Sequence, residues 1–511
     1  MRTWGTLTAV CLGTFMLLLD VTIVVVALPD MARALHASLG ELQWVVDAYA
    51  LALAALVLGV GAAADMVGRR RVHVAGVALF AGASMVCGLA SGPGLLVAAR
   101  AVQGVGAAAM LATTLPLLGS AYHGRRRSAA FGVWGAVSSA AAAVGPVLGG
   151  LIAEGPGWRW IFFVNLPVSV AAVWLTLRTV PESRGASAEA GPGASAEPGA
   201  WARVDWPGTA AFAAFAGGTT YAVVRAGDDG WTDPVTLAAF GSAAVALAVF
   251  VLVERRAVRP LLDLSLLRRP AFAGVLLGSF AFNGVAFGSV AYLSIWMQTL
   301  LGLSPVRGGL TLLPMTAVSM VVALLVGRLL HGVPAWLTIG GGLLLVGAGT
   351  LGQAVLDAGS GWTALLPGFV LVGIGTGLVA PTAAGAALAA VPAEQAGMAS
   401  GAVNTVRQLG YALGVAVFGT VLTSRMTGPL PRDAAHALAG GGAAALRGGM
   451  GDHALRAAFA SGLNGALVVA GLAGLAAGTA VLLLVRAGRP AAGAVAPAAE
   501  PVRAEAGAPR G

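Results

Sequence analysis

The sequence predicts an all-α polytopic membrane fold, and three observations predict it: the composition, the spacing of the apolar runs and an internal glycine repeat. Hydrophobic residues fill 58% of 511 positions and charged residues only 10%, with a mean hydropathy of +0.86. That balance lies far outside the range of water-soluble domains. A net charge of +9 would suggest nucleic acid in a soluble protein. Here the arginines gather between apolar runs, where they orient helices in a lipid bilayer, so no nucleic-acid partner is expected. Cys11 and Cys87 both lie inside apolar runs, which indicates neither a disulfide framework nor a metal site.

Apolar stretches of about 20 residues bounded by charge, Gly or Pro number fourteen. They fall near 6–28, 43–64, 72–91, 94–119, 129–153, 161–179, 204–225, 235–254, 271–301, 307–330, 335–356, 362–391, 398–424 and 457–486. The first resembles a secretion signal at its start, but it continues past Asp20 to Leu28 without a cleavage site and reads as a retained span. With loops numbered alternately, twenty arginines fall on the side of both termini and eight on the other, leaving Arg100 and Arg407 within spans. The positive-inside rule then predicts a multi-pass protein of the cytoplasmic membrane with both termini in the cytoplasm. Pro181–Ala202, rich in Gly, Ala, Ser, Glu and Pro, reads as a flexible linker, and Thr427–His453 as a loose external loop.

Gly104 and Gly106 recur 269 positions later as Gly373 and Gly375, and Gly132 and Gly145 recur at the same offset as Gly401 and Gly414. This predicts duplicated six-helix bundles, the pattern of secondary transporters. The expected organisation is an N-terminal six-helix bundle over 1–180, a cytoplasmic linker over 181–203 and two inserted transmembrane helices over 204–255. A C-terminal six-helix bundle follows over 256–488, then a disordered cytoplasmic tail over 489–511.

Arg100 stands alone in the apolar stretch Leu95–Leu118. A charge in that position is costly unless it is paired or lines a water-filled cavity, so it marks a transport role, with Asp20 as the best candidate partner. A carboxyl that alternates between water and Arg100 can bind and release a proton in turn; the same two residues can instead form a permanent ion pair between spans one and four. Asp47 is either a second proton or cation site or an interfacial residue. The second half carries no deep carboxylate: at the repeat offset Arg100 maps to Phe369, and His331 stands in Gly327–Gly332 where the first half has an acid. Coupling is therefore assigned to the first half. Gln103, Asn283, Tyr292, Trp296, Gln298, Asn404 and Gln408 are candidates for a broad amphipathic cavity, with core packing or an interfacial place as the alternative. Arg407 reads as lying near the cytoplasmic start of span thirteen, in reach of the headgroups.

The run GAAADMVGRRR after span two resembles the cytoplasmic loop motif of the major facilitator superfamily, matching at Gly61, Asp65, Gly68, Arg69 and Arg70. A helix-end carboxylate beside basic residues and a Gly-formed turn can make a latch that breaks as the halves rock. RAVQGVGA from Arg100 resembles that superfamily's proton-coupled span-four motif, and VGPVLGG, with Gly145, Pro146, Gly149 and Gly150, its antiporter motif. There the glycines permit close helix packing and Pro146 bends the helix. LDVTIVVVALP from Leu19 resembles the first-span motif of the fourteen-span drug:proton antiporters, with Val25 where that family commonly has Asn. WVVDAYAL, WRWIFFVNLP, DWPG, PLLDL and QTLLG are similar to further markers of that family.

The resemblance implies a major facilitator fold of two six-helix bundles plus two inserted helices. It also implies a monomeric proton-coupled antiporter that exports amphipathic drugs or antibiotic-like compounds by alternating access, with protons and a small molecule as partners. No cofactor is implied beyond the proton gradient. The alternative is a narrow-specificity exporter of an endogenous metabolite or amino acid. An enzyme is not expected, because no His, Asp, Glu or Ser groups converge in the pattern, and the absence of lysine rules out a phosphate-binding GxxxxGK[ST] loop.

Overall fold

The structure is a computed structural model that describes residues 2–122, 124–183, 205–257, 260–329, 333–391 and 396–487. Most of the predicted linker, the tail over 489–511 and His331 lie outside the described residues. Among those described there is no strand, and fourteen long helical segments follow one another. The first six are α1 (Arg2–Leu35), α2 (Leu39–Val67), α3 (Arg69–Gly88), α4 (Pro93–Ala121), α5 (Gly124–Glu154) and α6 (Trp160–Thr179). Then come α7 (Trp206–Asp228) and α8 (Pro234–Arg256). The last six are α9 (Pro270–Leu300), α10 (Pro305–Val326), α11 (Ala335–Gly352), α12 (Leu366–Ala389), α13 (Ala396–Met426) and α14 (Asp452–Ala487). Twelve are long and apolar enough to cross a membrane; α5 and α7 are not among the twelve.

Local chemistry sets several helix starts. Ser38 and Glu41 form a reciprocal capping box on α2, Asp233 accepts from the Thr236 amide on α8, and Ser304 caps the start of α10. Pro stands at the first turn of α4, α7, α8, α9 and α10, where its missing N–H costs nothing. α1 runs seven residues past the expected end at Leu28, because Pro29 forgoes only one backbone hydrogen bond in a helix whose sides are otherwise packed.

The packing repeats. In the first half α1 lies against α5 and α6, α3 against α4 and α6, and α2 against α4; in the second half α9 lies against α13 and α14, α11 against α12 and α14, and α10 against α12. The glycine repeat occupies equivalent contacts. Gly104 faces the Tyr49 backbone of α2 as Gly373 faces Met315 of α10, while Gly106 faces α3 at Phe80 as Gly375 faces α11 at Gly342. A side chain at Gly104 or Gly106 would meet neighbouring backbone, which cannot swing away. Gly106→Val should therefore destabilise the fold by about 1–3 kcal/mol, the usual cost of overpacking. A melt of the purified protein checks this against Gly82→Val, whose new carbon would meet open space.

The halves join through α2 with α13 and α5 with α10, again a symmetric pair. α7 packs on both α2 and α13, with the Thr420 hydroxyl donating to the Val223 carbonyl at 2.8 Å, and α8 rests mainly on α7. Thr427–His453 is not the loose loop the sequence suggests. It contains helices at Arg432–Ala439 and Ala443–Leu446, buries Ala434, Ala435, Leu438 and Ala439, and is tied by Asp452 to Arg447 and Arg456 at 2.9 and 2.6 Å. Alanine and leucine spaced along one side of Arg432–Ala439 give that helix an apolar face, which the glycines on either side of it conceal in the sequence.

Candidate functional site

Asp20 on α1 and Arg100 on α4 meet in the interior of the first bundle, Oδ2 to Nη1 at 2.5 Å, each with 1% of its surface exposed. They do not meet alone. Arg100 donates from Nε to the Val45 carbonyl of α2 at 3.0 Å and from Nη1 to Gln103 Oε1 at 2.7 Å, and its guanidinium lies 4.3 Å from the Tyr49 ring centre. The other carboxylate oxygen of Asp20 accepts from Gln103 Nε2 at 2.9 Å and from Asn165 Nδ2 of α6 at 3.1 Å. Ser84 of α3 closes the ring, accepting from Gln103 and Asn165 at 3.2 and 2.9 Å and donating to the Phe162 carbonyl at 3.0 Å. Five helices thus converge on one carboxylate and one guanidinium. In a low-dielectric interior such a network holds only when every member is partnered.

Gln103, expected to line a cavity, is wholly buried within this network. Its spacing of three from Arg100 puts both on one face of α4, the signal that points to the shared role. Ser84 and Asn165 carry no such signal, since a small polar residue in an apolar helix is common. Asn165→Ala should lower the melting temperature of the purified protein, since about 1–3 kcal/mol is lost when a buried acceptor loses its donor. Asn283→Ala is the comparison: among the described residues Asn283 Nδ2 bonds only the Ser279 carbonyl of its own helix, at 3.0 Å, so a smaller shift is expected there.

Asp47 on α2 is also fully buried, and neither of its carboxylate oxygens has a hydrogen-bond partner among the described residues. It is the second acidic group at membrane depth in this half.

In the loop motif, Asp65 pairs with Arg69 one turn on at 2.8 Å, and Gly68 turns with φ of 126°, a conformation that favours glycine. The Arg69 amide donates to the Ser183 carbonyl at 2.9 Å, and the Arg70 amide donates to Glu182 Oε1 at 3.0 Å. Arg70 Nη1 reaches the Val180 carbonyl at 3.3 Å, and Gly61 faces Ala112 of α4. The first of these contacts joins α2 to α3 and the others tie them to α4 or to the chain after α6, all within one half; the sequence singled out neither Glu182 nor this direction.

The antiporter motif lies where α5 approaches two neighbours. Gly145 abuts Thr22 and Gly149 abuts the Ile23 backbone on α1, while Gly150 faces Pro305 and Val306 on α10 and the Pro146 carbonyl faces Gly309. The other expected cavity residues have separate tasks. Gln43 donates to the Tyr292 hydroxyl at 2.8 Å, and Tyr292 donates to the Val415 carbonyl, so Tyr292 bridges the halves. Gln298 Nε2 bonds the Val26 carbonyl of α1 at 2.8 Å, Trp296 is 1% exposed in the core, and Asn404 bonds the Ser400 carbonyl at 3.1 Å. Gln408 is half-buried on α13. Arg407 sits eleven residues into the 31-residue α13, far from its start.

Two pseudo-symmetric bundles of apolar helices, with charged groups buried inside one of them, make up the architecture of a secondary transporter. The sequence matches the Major Facilitator Superfamily over residues 10–415, and the chain belongs to that family of transporters. It is 36% identical over 426 residues to the multidrug resistance protein Stp of Mycobacterium tuberculosis, covering 83% of this chain and 77% of that one. It is 33% identical to the tetracenomycin C resistance and export protein of Streptomyces glaucescens, covering 84% and 78%. The puromycin resistance protein of Streptomyces alboniger is 35% identical, with 83% and 82% covered. Among solved structures, a bacterial homologue of the human lysosomal transporter Spinster, inward-facing and unoccupied, matches with a TM-score of 0.64 at 17% identity, covering 95% and 97%.

Proposed function

We propose that this transporter is a proton antiporter that exports amphipathic drugs or antibiotic-like compounds across the cytoplasmic membrane by alternating access. The observation that carries the reading is the buried Asp20–Arg100 pair. A proton taken up by Asp20 removes one of the two charges, weakens the pair and frees Arg100 and Gln103 to rearrange; losing the proton restores it. Substrate and proton then act on the same switch and exchange for one another. Export of drugs is supported by the relatives named for resistance and export. The fourteen helices, with α5 and α7 counted as spans, cytoplasmic termini and a monomeric state complete the proposal.

The halves are joined by Gln43–Tyr292, Val26–Gln298 and Gly150–Pro305 at the ends away from the termini, and further along α2 and α13 by the Thr405 hydroxyl on the Ala54 carbonyl at 3.0 Å. The test is efflux of several unrelated fluorescent amphiphiles, cationic, neutral and anionic, from cells expressing the protein, with and without a protonophore. Protonophore-sensitive efflux of several is expected. Export of one compound alone would replace drug export by the narrow-specificity reading, and efflux indifferent to the protonophore would overturn proton coupling.

A further inference from the structure

Among the described residues Arg407 has no counter-ion. The six helices of the second half contain no Asp or Glu except Asp452 at the first position of α14. Arg407 makes neither an ion pair nor a hydrogen bond among the described residues. At 1.5 Å per residue its backbone lies about 17 Å along α13 from the helix start, near the middle of a hydrocarbon layer about 30 Å thick. A headgroup contact would need the side chain to cover most of a leaflet, so the snorkelling suggested by the sequence does not fit this depth.

The residues around it complete the picture. Arg407 lines a small crevice between α9, α12 and α13 with Ser279, Phe282, Ala380, Ala383 and Val403. The Ser279 hydroxyl, on a residue 1% exposed, is itself without a partner among the described residues. The half-buried Arg407 and the buried, unpartnered Ser279 hydroxyl therefore line one largely apolar crevice. Two unsatisfied donors at this depth are costly, and a ligand that supplies an oxyanion removes the cost. The planar guanidinium fork matches a carboxylate with two parallel hydrogen bonds, Ser279 can add another, and Phe282 with the alanines covers the apolar part. In this conformation the crevice has about 10 Å³ of room, space for about one water molecule, so an oxyanion enters only when α9, α12 and α13 part.

We propose that Arg407 and Ser279 form the subsite that binds a carboxylate or similar planar oxyanion of the exported compound. This makes anionic amphiphiles the favoured cargo and rests on the export reading above. The charge on Arg407 then faces the cargo, while Asp20 and Arg100 in the other half handle the proton, so cargo and proton sites occupy different bundles.

The experiment measures binding of dansyl-undecanoic acid and its methyl ester to the purified full chain in zwitterionic nanodiscs. Energy transfer from tryptophan to dansyl is the readout, with empty discs subtracted. The wild type should bind the acid at least about tenfold more tightly than the ester, the least expected of hydrogen bonds to a charged group. Arg407→Gln should erase that preference and leave ester binding unchanged, Arg407→Lys should keep part of it, and Ser279→Ala should reduce it. Ester binding by Arg407→Gln shows that the variant is folded; if that variant fails to bind the ester, Ser279→Ala and Arg407→Lys decide the question. Equal binding of acid and ester by the wild type, or an acid preference that survives Arg407→Gln, overturns the subsite and leaves the export reading standing. Binding of neither probe, together with no efflux of any amphiphile from cells, overturns both. Addition of free phosphatidylglycerol to the discs separates the two sources of the anion. Displacement of the acid by the lipid, with no acid transport, would make the occupant a lipid headgroup and overturn the cargo assignment.

Discussion

Asp20→Asn should abolish proton-driven efflux, lowering the protonophore-sensitive rate by at least about 100-fold while the protein still reaches the membrane. Asn keeps the shape of Asp20 and part of its hydrogen bonding, but it cannot carry a proton on and off. It also leaves the Arg100 charge unbalanced in the interior, and breaking a buried ion pair from one side costs about 3–5 kcal/mol. Loss of transport by the single variant alone would thus be ambiguous between a coupling group and structural glue. The double variant Asp20→Asn with Arg100→Gln separates them, because removing both charges relieves the unpaired one. If the pair is only glue, the double variant recovers both melting temperature and efflux. If Asp20 carries the proton, stability returns and proton-driven efflux does not. Efflux of a fluorescent amphiphile from proteoliposomes after a pH jump, beside a melt of the same preparation, gives both readouts. Protonophore-sensitive efflux in the double variant would sink the assignment, and Asp47, buried with no hydrogen-bond partner among the described residues, would be the next group to replace.

The ion pair was legible in the sequence because its cost is local. One arginine inside an apolar run demands a partner whatever the tertiary structure, and Asp20 lies at comparable depth in the first run. The ring around it was not legible for the opposite reason. Ser84 and Asn165 can satisfy themselves on their own helix backbone, as Asn283 and Asn404 in fact do, so nothing in the sequence forces either towards Asp20. Only the packing of α3 and α6 around α1 and α4 aims them inwards. The helix order was legible from hydropathy, and the glycine repeat pointed to the duplicated contacts on α4 and α12. The end of α1 was misjudged because a proline inside a well-packed helix costs less than one in an isolated helix. The latch residues were identified by spacing, yet their partner Glu182 sits in a Pro- and Ser-containing stretch that reads as plain linker. Tyr292 and Gln298 were read as cavity lining because a polar side chain on an apolar helix looks the same whether it faces a ligand or the opposite bundle.

Gly150→Leu should trap the protein with its halves apart at the end away from the termini. Gly150 faces the backbone of Pro305 and Val306, on the opposite half, closely enough that any added carbon would overlap it. Backbone at the capped start of α10 cannot rotate out of the way, so the strain falls on the closed contact itself and not on the rest of the fold. Once the halves separate there, Gly150 no longer faces α10 and the larger side chain is tolerated. The substitution therefore acts on one conformation and shifts the population away from it. An overpacking cost of about 3 kcal/mol corresponds to a shift of about 100-fold. The measurement is modification of a single cysteine placed at Val306 by a membrane-impermeant maleimide, with Cys11 and Cys87 replaced by Ala. Gly150→Leu should label several-fold faster than its parent and should lose efflux, while Gly82→Leu, facing open space, should change neither. Unchanged labelling with full efflux would mean that α5 and α10 do not close on each other during transport. The contact between Gly150 and Pro305 would then be a fixed joint, and the rocking would have to occur about another pair of helices.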